Sequence, residues 1–369
     1  MSLYLDHAAT SPMRPQALEI FNRVALTQAN PSSVHGAGRK SRYFVETARE
    51  AVLEAVGAHN QRLIFTSGGT EANGLAVHQA KSDLYIGAGE HESLIQSALA
   101  SSWPMHNLNL QANGQVDLSQ LQGMDEGAFV AIQLCNNETG VINDIATAAN
   151  LVRAKGGWLH VDAVQALGKI NIDFDGLGAH SLSLSAHKIG GPQGVGVLIF
   201  HRDETVLGLL KGGGQENGLR AGTENVAGIA AFAEAIKVMA DKSDLSAEQA
   251  LVEARLKALG CVIVGEEAPR APGILAMSQA DWSSSLQVIH MDMQNIYISS
   301  GSACSSGKVK KSRILEAMGM GALSENSIRI SSGWNNQPQD WLRFFEVWSK
   351  AYQTHLSRSS NKEVLTCQP

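Results

Sequence analysis

Leu182-Ser183-Leu184-Ser185-Ala186-His187-Lys188-Ile189-Gly190-Gly191-Pro192-Gln193-Gly194-Val195-Gly196 is the stretch that decides the fold. Its first residues read as a short strand. The strand's carboxyl end passes into a lysine flanked by Ser185 and His187, and then into a glycine-rich turn. A lysine held at a strand end among hydroxyl and imidazole groups suits a buried Schiff-base amine, because desolvation favours the neutral, nucleophilic form. In isolation the same residues also describe a surface lysine ahead of a turn. The neighbouring segments separate the two readings.

One strand earlier stands His160-Val161-Asp162-Ala163-Val164-Gln165. An aspartate that ends an apolar strand is costly to bury without a cationic partner. A protonated pyridine nitrogen is such a partner: the carboxylate keeps the proton on, and the ring becomes an electron sink. Gln165, three residues on, is placed to bond a ring hydroxyl; a helix N-cap is the other role open to Asp162. Further upstream, Thr66-Ser67-Gly68-Gly69-Thr70-Glu71-Ala72-Asn73 follows the apolar run Leu63-Ile64-Phe65. Glycines and hydroxyls where a strand turns into a helix offer backbone N–H groups and the helix dipole to an anion. This is a phosphate cup without the lysine of the nucleotide-binding GxxxxGK(S/T) pattern, and an ordinary capped helix start has the same composition. Phosphate cup, pyridine carboxylate and Schiff-base lysine, in that order, are more specific together than singly.

The alternation continues outward. Leu63–Phe65, Leu84–Ile86, Val130–Leu134, Leu159–Val161, Leu182–Leu184 and Val195–Phe200 are short apolar runs parted by helical stretches. They predict an α/β fold with a mostly parallel sheet covered by helices and ligands at the strands' carboxyl ends. Val226, Ile229, Ala230, Ala233 and Ile236 keep one helix face apolar, and a further helix is predicted from about Ser246 to Leu259. The pattern then changes. Val262–Val264, Gly273–Ala276, Leu286–His290 and Ile296–Ile298 read as strands among helices, predicting a smaller α+β domain. Trp341, Phe344, Phe345, Trp348 and Tyr352 fall at helical spacing and read as core, and the chain after His355 as a loose polar tail. A length of 369 residues suits two domains. Residues 15–245 are expected to form the large one, with 1–14 and 246–369 forming the small one.

Composition narrows the function classes. Lys plus Arg total 29 against 35 Asp plus Glu, a net charge of −6, so no general attraction to nucleic acid or anionic lipid is expected. Met1 to Thr10 lacks the basic start and apolar run of a signal peptide. The most apolar helical stretch, Val226 to Ala233, is cut short by Glu234 and Lys237 and is too brief for a membrane span. Cys135, Cys261, Cys304 and Cys367 are far apart, without CxxC spacing. Neither a zinc site nor a disulfide framework is expected, and the reading is a cytoplasmic protein.

From Tyr4-Leu5-Asp6-His7-Ala8-Ala9-Thr10 to Ser327-Ile328-Arg329-Ile330-Ser331 the chain resembles the cysteine desulfurases of the NifS/IscS type, within the fold-type I pyridoxal-phosphate enzymes related to class V aminotransferases. The resemblance includes Asn30-Pro31-Ser32-Ser33-Val34-His35, Glu90-His91, Asn136-Asn137-Glu138-Thr139-Gly140 and Gly212-Gly213-Gly214-Gln215-Glu216. It extends to Arg220-Ala221-Gly222-Thr223-Glu224-Asn225 and Ser299-Ser300-Gly301-Ser302-Ala303-Cys304. It implies a seven-stranded, mostly parallel sheet and pyridoxal 5'-phosphate on Lys188. Gly69, Thr70, Ser185 and His187 are implied as its phosphate holders, Asp162 and Gln165 as partners of its ring, and His91 as the group that stacks on the ring and moves protons. Thr223 is implied to reach a phosphate in the other subunit of a homodimer. Asn30, Asn137 and Arg329 are implied to hold a substrate carboxylate, and no metal is implied. Arg329 has support of its own. Its isoleucine neighbours alternate with it, so it faces away from the apolar side of a strand, and an arginine binds a carboxylate through two parallel hydrogen bonds. An exposed strand arginine is the plainer reading.

Cys304 lies in Gly301-Ser302-Ala303-Cys304-Ser305-Ser306-Gly307, whose small residues predict a mobile loop. Lys308, Lys310 and Lys311 follow; they favour a thiolate, or form a solvated helix face. The run is not a nucleotide phosphate loop, because five residues rather than four part its glycines and Val309 stands where Ser or Thr is needed. By the resemblance, Cys304 takes sulfur from L-cysteine and leaves L-alanine. The persulfide then serves an acceptor such as an iron–sulfur scaffold protein, or tRNA thiolation. The chain departs from the family pattern at His7 (often Asn), Gly190 (often Tyr) and Asn217 (often Arg). The rival readings are a transaminase, selenocysteine lyase or kynureninase-like hydrolase of the same fold, and a scaffold without activity. A transaminase needs no loop thiol, and a scaffold needs none of Lys188, Asp162, His91, Arg329 and Cys304.

Overall fold

A computed structural model describes residues 2–27, 29–301 and 311–366, with side chains as far as residue 358. The central sheet has seven strands in the order Arg62–Thr66, Gly196–Phe200, Ser181–Ser185, Trp158–Asp162, Phe129–Gln133, Leu84–Gly87 and Met105–Leu108. Gly196–Phe200 runs antiparallel to both neighbours, and the other adjacent pairs are parallel. This is the α/β sheet that the sequence predicts. Helices cover both faces, so strands such as Phe129–Gln133 and Gly196–Phe200 read as nearly continuous apolar runs. Val197 and Ile199 pack with helices Gly36–Ala55, Ile145–Ala154 and Val226–Lys237, whereas Leu198 and Phe200 pack with Gly69–Val77 and Glu92–Leu99. Met105–Leu108 is not apparent in the sequence. It pairs on one side only and exposes His106 and Asn107, as an edge strand that must avoid further pairing does.

Register gathers the predicted site at one edge. Thr66, Gly196 and Ser185 face one another across three adjacent strands, and Asp162 pairs with Ser183 and with Gln133. Position 196 requires glycine, since a Cβ there would lie 2.4 Å from the carbonyl carbon of Gly68. The alternation in Ser181–Ser185 sends Leu182 and Leu184 into the main core and turns the serines toward helix Gly69–Val77. There Ser183 Oγ donates to Asn73 Oδ1 (2.6 Å), and His160 lies 2.9 Å from Ser181 Oγ and 3.1 Å from Asn73 Oδ1.

In the C-terminal third, Ser299–Ser300, Ser327–Ser331, Ile274–Ser278 and Val262–Ile263 form an antiparallel sheet in that order, and Leu3–Tyr4 pairs parallel with Ile296–Tyr297. Trp341, Phe344, Trp348 and Tyr352 of helix Pro338–Thr366 pack with Trp282, Ile328 and Ile330, so the aromatic stripe is core. Two expectations fail here. Leu286–His290 belongs to helix Ser284–Asp292 rather than to a strand. The inward positions are Ser284, Gln287 and Met291, at helical spacing. Gln287 is held by donating to Trp282 O (2.7 Å) and Asn326 O (2.9 Å) and accepting from Trp348 Nε1 (3.0 Å). Nor is the chain irregular directly after His355: the helix continues to Thr366, with no Gly or Pro up to that point. No helix among the described residues is long and apolar enough to cross a membrane.

Candidate active site

Lys188 ends the short turn Ala186–Lys188 that follows the strand Ser181–Ser185. Its Nζ donates to the carbonyls of Ala8 and Ala9, both at 2.7 Å. Burial, then Arg329 and Lys169, push its pKa from 10.5 down to about 7, against the opposing pull of Asp6 and Asp162. Much of the amine is therefore neutral near neutral pH, as a nucleophile or base must be. His187, lowered to about 4 by burial and by Lys188, is also neutral, its Nδ1 3.0 Å from Thr10 Oγ1.

Asp162 is buried at its strand end. Its Oδ2 accepts from Asn73 Nδ2 and its Oδ1 from the Val164 N–H, both at 2.9 Å. Among the described residues no Lys, Arg or His forms an ion pair with it. A buried carboxylate met only by neutral donors fits a cationic partner such as a protonated pyridine ring. Buried Gln165 donates from Nε2 to Ala8 O (2.8 Å) and accepts at Oε1 from Lys169 Nζ (3.2 Å). The phosphate cup fits an anion as well. Helix Gly69–Val77 begins so close to the turn after Asp162 that a Cβ on Gly69 would lie 3.0 Å from Val164 Cγ2 and 3.7 Å from Ser185 Cβ. The unpaired first-turn N–H groups, exposed Thr70 and buried Ser185 share that corner.

Arg329 is buried, on the opposite side of its strand from Ile328 and Ile330. Its Nη1 donates to Asn137 O (3.0 Å) and its Nη2 to Asp6 Oδ1 (2.7 Å), while its buried Nε has no partner among the described residues. An orphaned guanidinium N–H is costly, and an incoming carboxylate would satisfy it. Asn137 Oδ1 accepts from Gln133 Nε2 at 3.2 Å. The N-terminal segment crosses the whole site: Asp6 meets Arg329, the Ala8 and Ala9 carbonyls hold Lys188, and Thr10 meets His187.

His91 caps helix Glu92–Leu99 by accepting from Ser93 N at 3.1 Å, and it is exposed. Glu90 beside it is buried, with Oε1 accepting from Gln133 N (2.6 Å) and Oε2 unpartnered among the described residues. Burial and the Asp162 charge raise its pKa well above the ordinary value, despite the Gln133 N–H and Arg313. Glu90 is thus held as a neutral acid. The folded chain therefore holds a proton that the unfolded chain loses above about pH 4.5, and Glu90 lowers stability progressively as pH rises. A Glu90→Gln variant is expected to match the parent in urea midpoint at about pH 4 and to exceed it at about pH 8. Equal midpoints at both values would show an ionised Glu90 in the folded state.

Cys304 lies within Ser302–Lys310, outside the described residues. The chain that follows docks on the site: Ser312 Oγ donates to half-buried Glu138 Oε2 (2.6 Å), and Arg313 donates to the carbonyls of Ala88 and Glu90. Asn30 is exposed, its Oδ1 accepting from Ser32 N at 2.8 Å, and Thr223 is exposed. Neither joins the Lys188 cluster through a hydrogen bond among the described residues. Half-buried Asp83 and exposed His106 and Asp125 form a trio of metal-type side chains at the sheet edge, in which Asp83 and His106 already pair at 2.7 Å.

Residues 3–344 match the family model described as aminotransferase class-V. A relative from Bacillus subtilis, described as putative cysteine desulfurase IscS 1, is 36% identical over 357 residues, covering 90% of this chain and 94% of its own. The X-ray structure of a NifS-like protein from Rickettsia africae aligns with a TM-score of 0.88 at 30% identity, over 96% of this chain and 100% of that one. A structure described as SspA in complex with cysteine aligns with a TM-score of 0.80 at 26% identity, over 91% of this chain and 100% of that one. Together with a lysine turn, a buried aspartate and a carboxylate-ready arginine around one sheet edge, these likenesses show that the chain belongs to the aminotransferase class-V family and, within it, to the cysteine desulfurases of the NifS/IscS type.

Proposed function

We propose that this chain removes sulfur from L-cysteine with pyridoxal 5'-phosphate as cofactor, leaving L-alanine and a persulfide on Cys304. The observation that carries the reading is electrostatic: a desolvated Lys188 amine, a buried Asp162 without a cation, and an Arg329 with an orphaned Nε meet at one edge. An arginine ready for a carboxylate beside a nucleophilic amine suits an amino-acid substrate. When bound, the cofactor supplies a sink for the electron pair left on the substrate Cα. Gly69, Thr70, Ser185 and His187 would hold its phosphate, Asp162 would keep a proton on its ring nitrogen, Gln165 would bond its ring hydroxyl, and His91 would stack on its ring.

Arg329, with Asn137 and Asn30, binds the substrate carboxylate, for which Asp6 must release the guanidinium. Lys188 takes the Cα proton. The Cys304 thiolate attacks the substrate sulfur: an S–S bond forms and the Cβ–S bond breaks. The electron pair stays on carbon and takes up a proton, so cysteine plus thiol become alanine plus persulfide. The persulfide is then passed to an acceptor protein such as an iron–sulfur scaffold, without nucleic-acid or membrane contact, in the cytoplasm. A homodimer is proposed, each chain's Thr223 serving the other's phosphate. Exposed Leu207, Leu209 and Leu210, in the stretch leading to Thr223, support a covered surface there. The domain division proposed is 15–245 against 1–14 plus 246–369; Leu3 and Leu5 pack in the C-terminal core, which supports it.

The test is mass spectrometry of the Cys304 peptide after incubation with L-cysteine and no reductant. One added sulfur on Cys304 is expected in the parent, and in Cys304→Ala the loss of both the persulfide and, in a parallel assay with a thiol reductant added, sulfide release. Sulfide release at the parent rate by Cys304→Ala would overturn the reading.

A further inference from the structure

A cavity of about 280 Å³ opens between the two cores, lined among others by His7, Arg14, Lys169, Lys188, Lys242 and Trp334. Asp162, His91, Asn137 and Arg329 do not line it. Its charge is one-sided, with Arg14, Lys169 and Lys242 against Asp244. Among the described residues none of these three cations forms an ion pair, and neutral carbonyls hold them instead. Arg14 donates to Ile189 O (3.0 Å) and Val238 O (2.7 Å), Lys169 to Gln165 O (3.0 Å) and Oε1 (3.2 Å), and Lys242 to Gly168 O. An ammonium has three donors, so Lys169 and Lys242 each keep at least one beyond these bonds. Their positive charges also oppose one another. Burial and then neighbouring charge, Lys242 included, bring Lys169 down to about 8, and burial and Arg14 lower Lys242.

Two of the three departures from the family pattern fall at this cavity. His7 lines it, with Nδ1 2.8 Å from Ser11 Oγ and a buried Nε2 that has no normal hydrogen bond although Asn335 and Asn336 lie beside it. Gly190, at φ +84°, leaves room for the cavity's wall: a Cβ there would lie 2.7 Å from Arg14 Cγ and 2.9 Å from Trp334 Nε1. Arg14 sits over the Trp334 ring at 5.2 Å, and a tyrosine at position 190 would displace both. The wall and the missing side chain thus belong together in this sequence.

We propose that this cavity binds a small oxyanion, a phosphate or carboxylate group on a small molecule, through Lys169 and Lys242. Charge-assisted hydrogen bonds to an oxyanion would use the spare ammonium donors and supply the missing counter-charge. The volume suits a small molecule rather than a nucleotide. The test is calorimetric titration of the holoenzyme, whose cofactor phosphate already fills the cup, with inorganic phosphate and separately with succinate. Saturable binding at one site per chain is expected, and the tighter probe identifies the group. Lys242 stands exposed at the rim, so Lys242→Met leaves the fold intact and should weaken binding at least about tenfold; Lys169→Met should abolish it. Arg329→Gln should leave it unchanged. No saturation with either probe, parent-like binding by Lys242→Met, or loss confined to Arg329→Gln would each overturn the proposal. Turnover is not the readout, so failure here leaves the proposed reaction untouched.

Discussion

Lys188→Ala is expected to lower alanine formation from L-cysteine by about 10⁴-fold, since the proposed attachment point and the proposed Cα base are one side chain. The amine is prepared for those roles by its surroundings. Burial and the charges of Arg329 and Lys169 hold its pKa at about 7, so it is neutral far more often than a solvated lysine. The same desolvation predicts a second result that does not depend on turnover. Below about pH 7 the amine is charged both folded and unfolded, and the folded chain bears the full cost of burying it. Between about 7 and 10.5 the folded chain loses the proton first, and the cost fades; above 10.5 it is gone. Cofactor-free Lys188→Met should therefore be more stable than the parent at about pH 6, with the two urea midpoints converging near pH 10.5. A constant offset across that range would mean that the amine is not desolvated in the folded chain.

The residues that ordinary periodicity describes were legible in the sequence. The six apolar runs are six of the seven sheet strands, and the Trp341–Tyr352 stripe is core. Legibility ends where burial of a polar group decides the structure. Leu286–His290 looks like a strand by its β-branched content, yet the inward residue is Gln287, which no apolar pattern reveals. The site shows the same division. Lys188, Asp162 and the Gly68–Thr70 turn stand out because their residue types are unusual at strand ends. Asp6, Asn73, Glu90 and Glu138 do not, because each acts through a partner distant in sequence: Asp6 on Arg329, Asn73 on Asp162 and Ser183, Glu90 on Gln133 and Glu138 on Ser312. Asp6, Glu90 and Glu138 lie inside recognisable motifs, but nothing in a motif says which of its residues is turned inward.

Asp162→Asn separates support of the fold from support of the reaction. The substitution keeps the shape and removes the charge, and turnover is expected to fall by about 10³-fold if Asp162 holds the proton on the ring nitrogen as proposed. The stability of the cofactor-free protein should move the other way or stay level. The carboxylate is buried with only the Asn73 amide and the Val164 N–H as donors, and removing a poorly compensated charge lowers the cost of folding. The new amide can keep the Val164 bond through its oxygen. Its NH₂ then faces the Asn73 NH₂, which cannot turn over without losing Ser183 Oγ and His160 from Asn73 Oδ1. A modest local cost therefore offsets part of the gain. Glu90 reports the same event independently, since its raised pKa owes part of its shift to the Asp162 charge and should fall in the variant. Urea unfolding of the cofactor-free protein beside steady-state alanine formation reads both effects. Activity lost in step with stability would assign Asp162 to the fold; activity lost with stability kept assigns it to the proton on the ring.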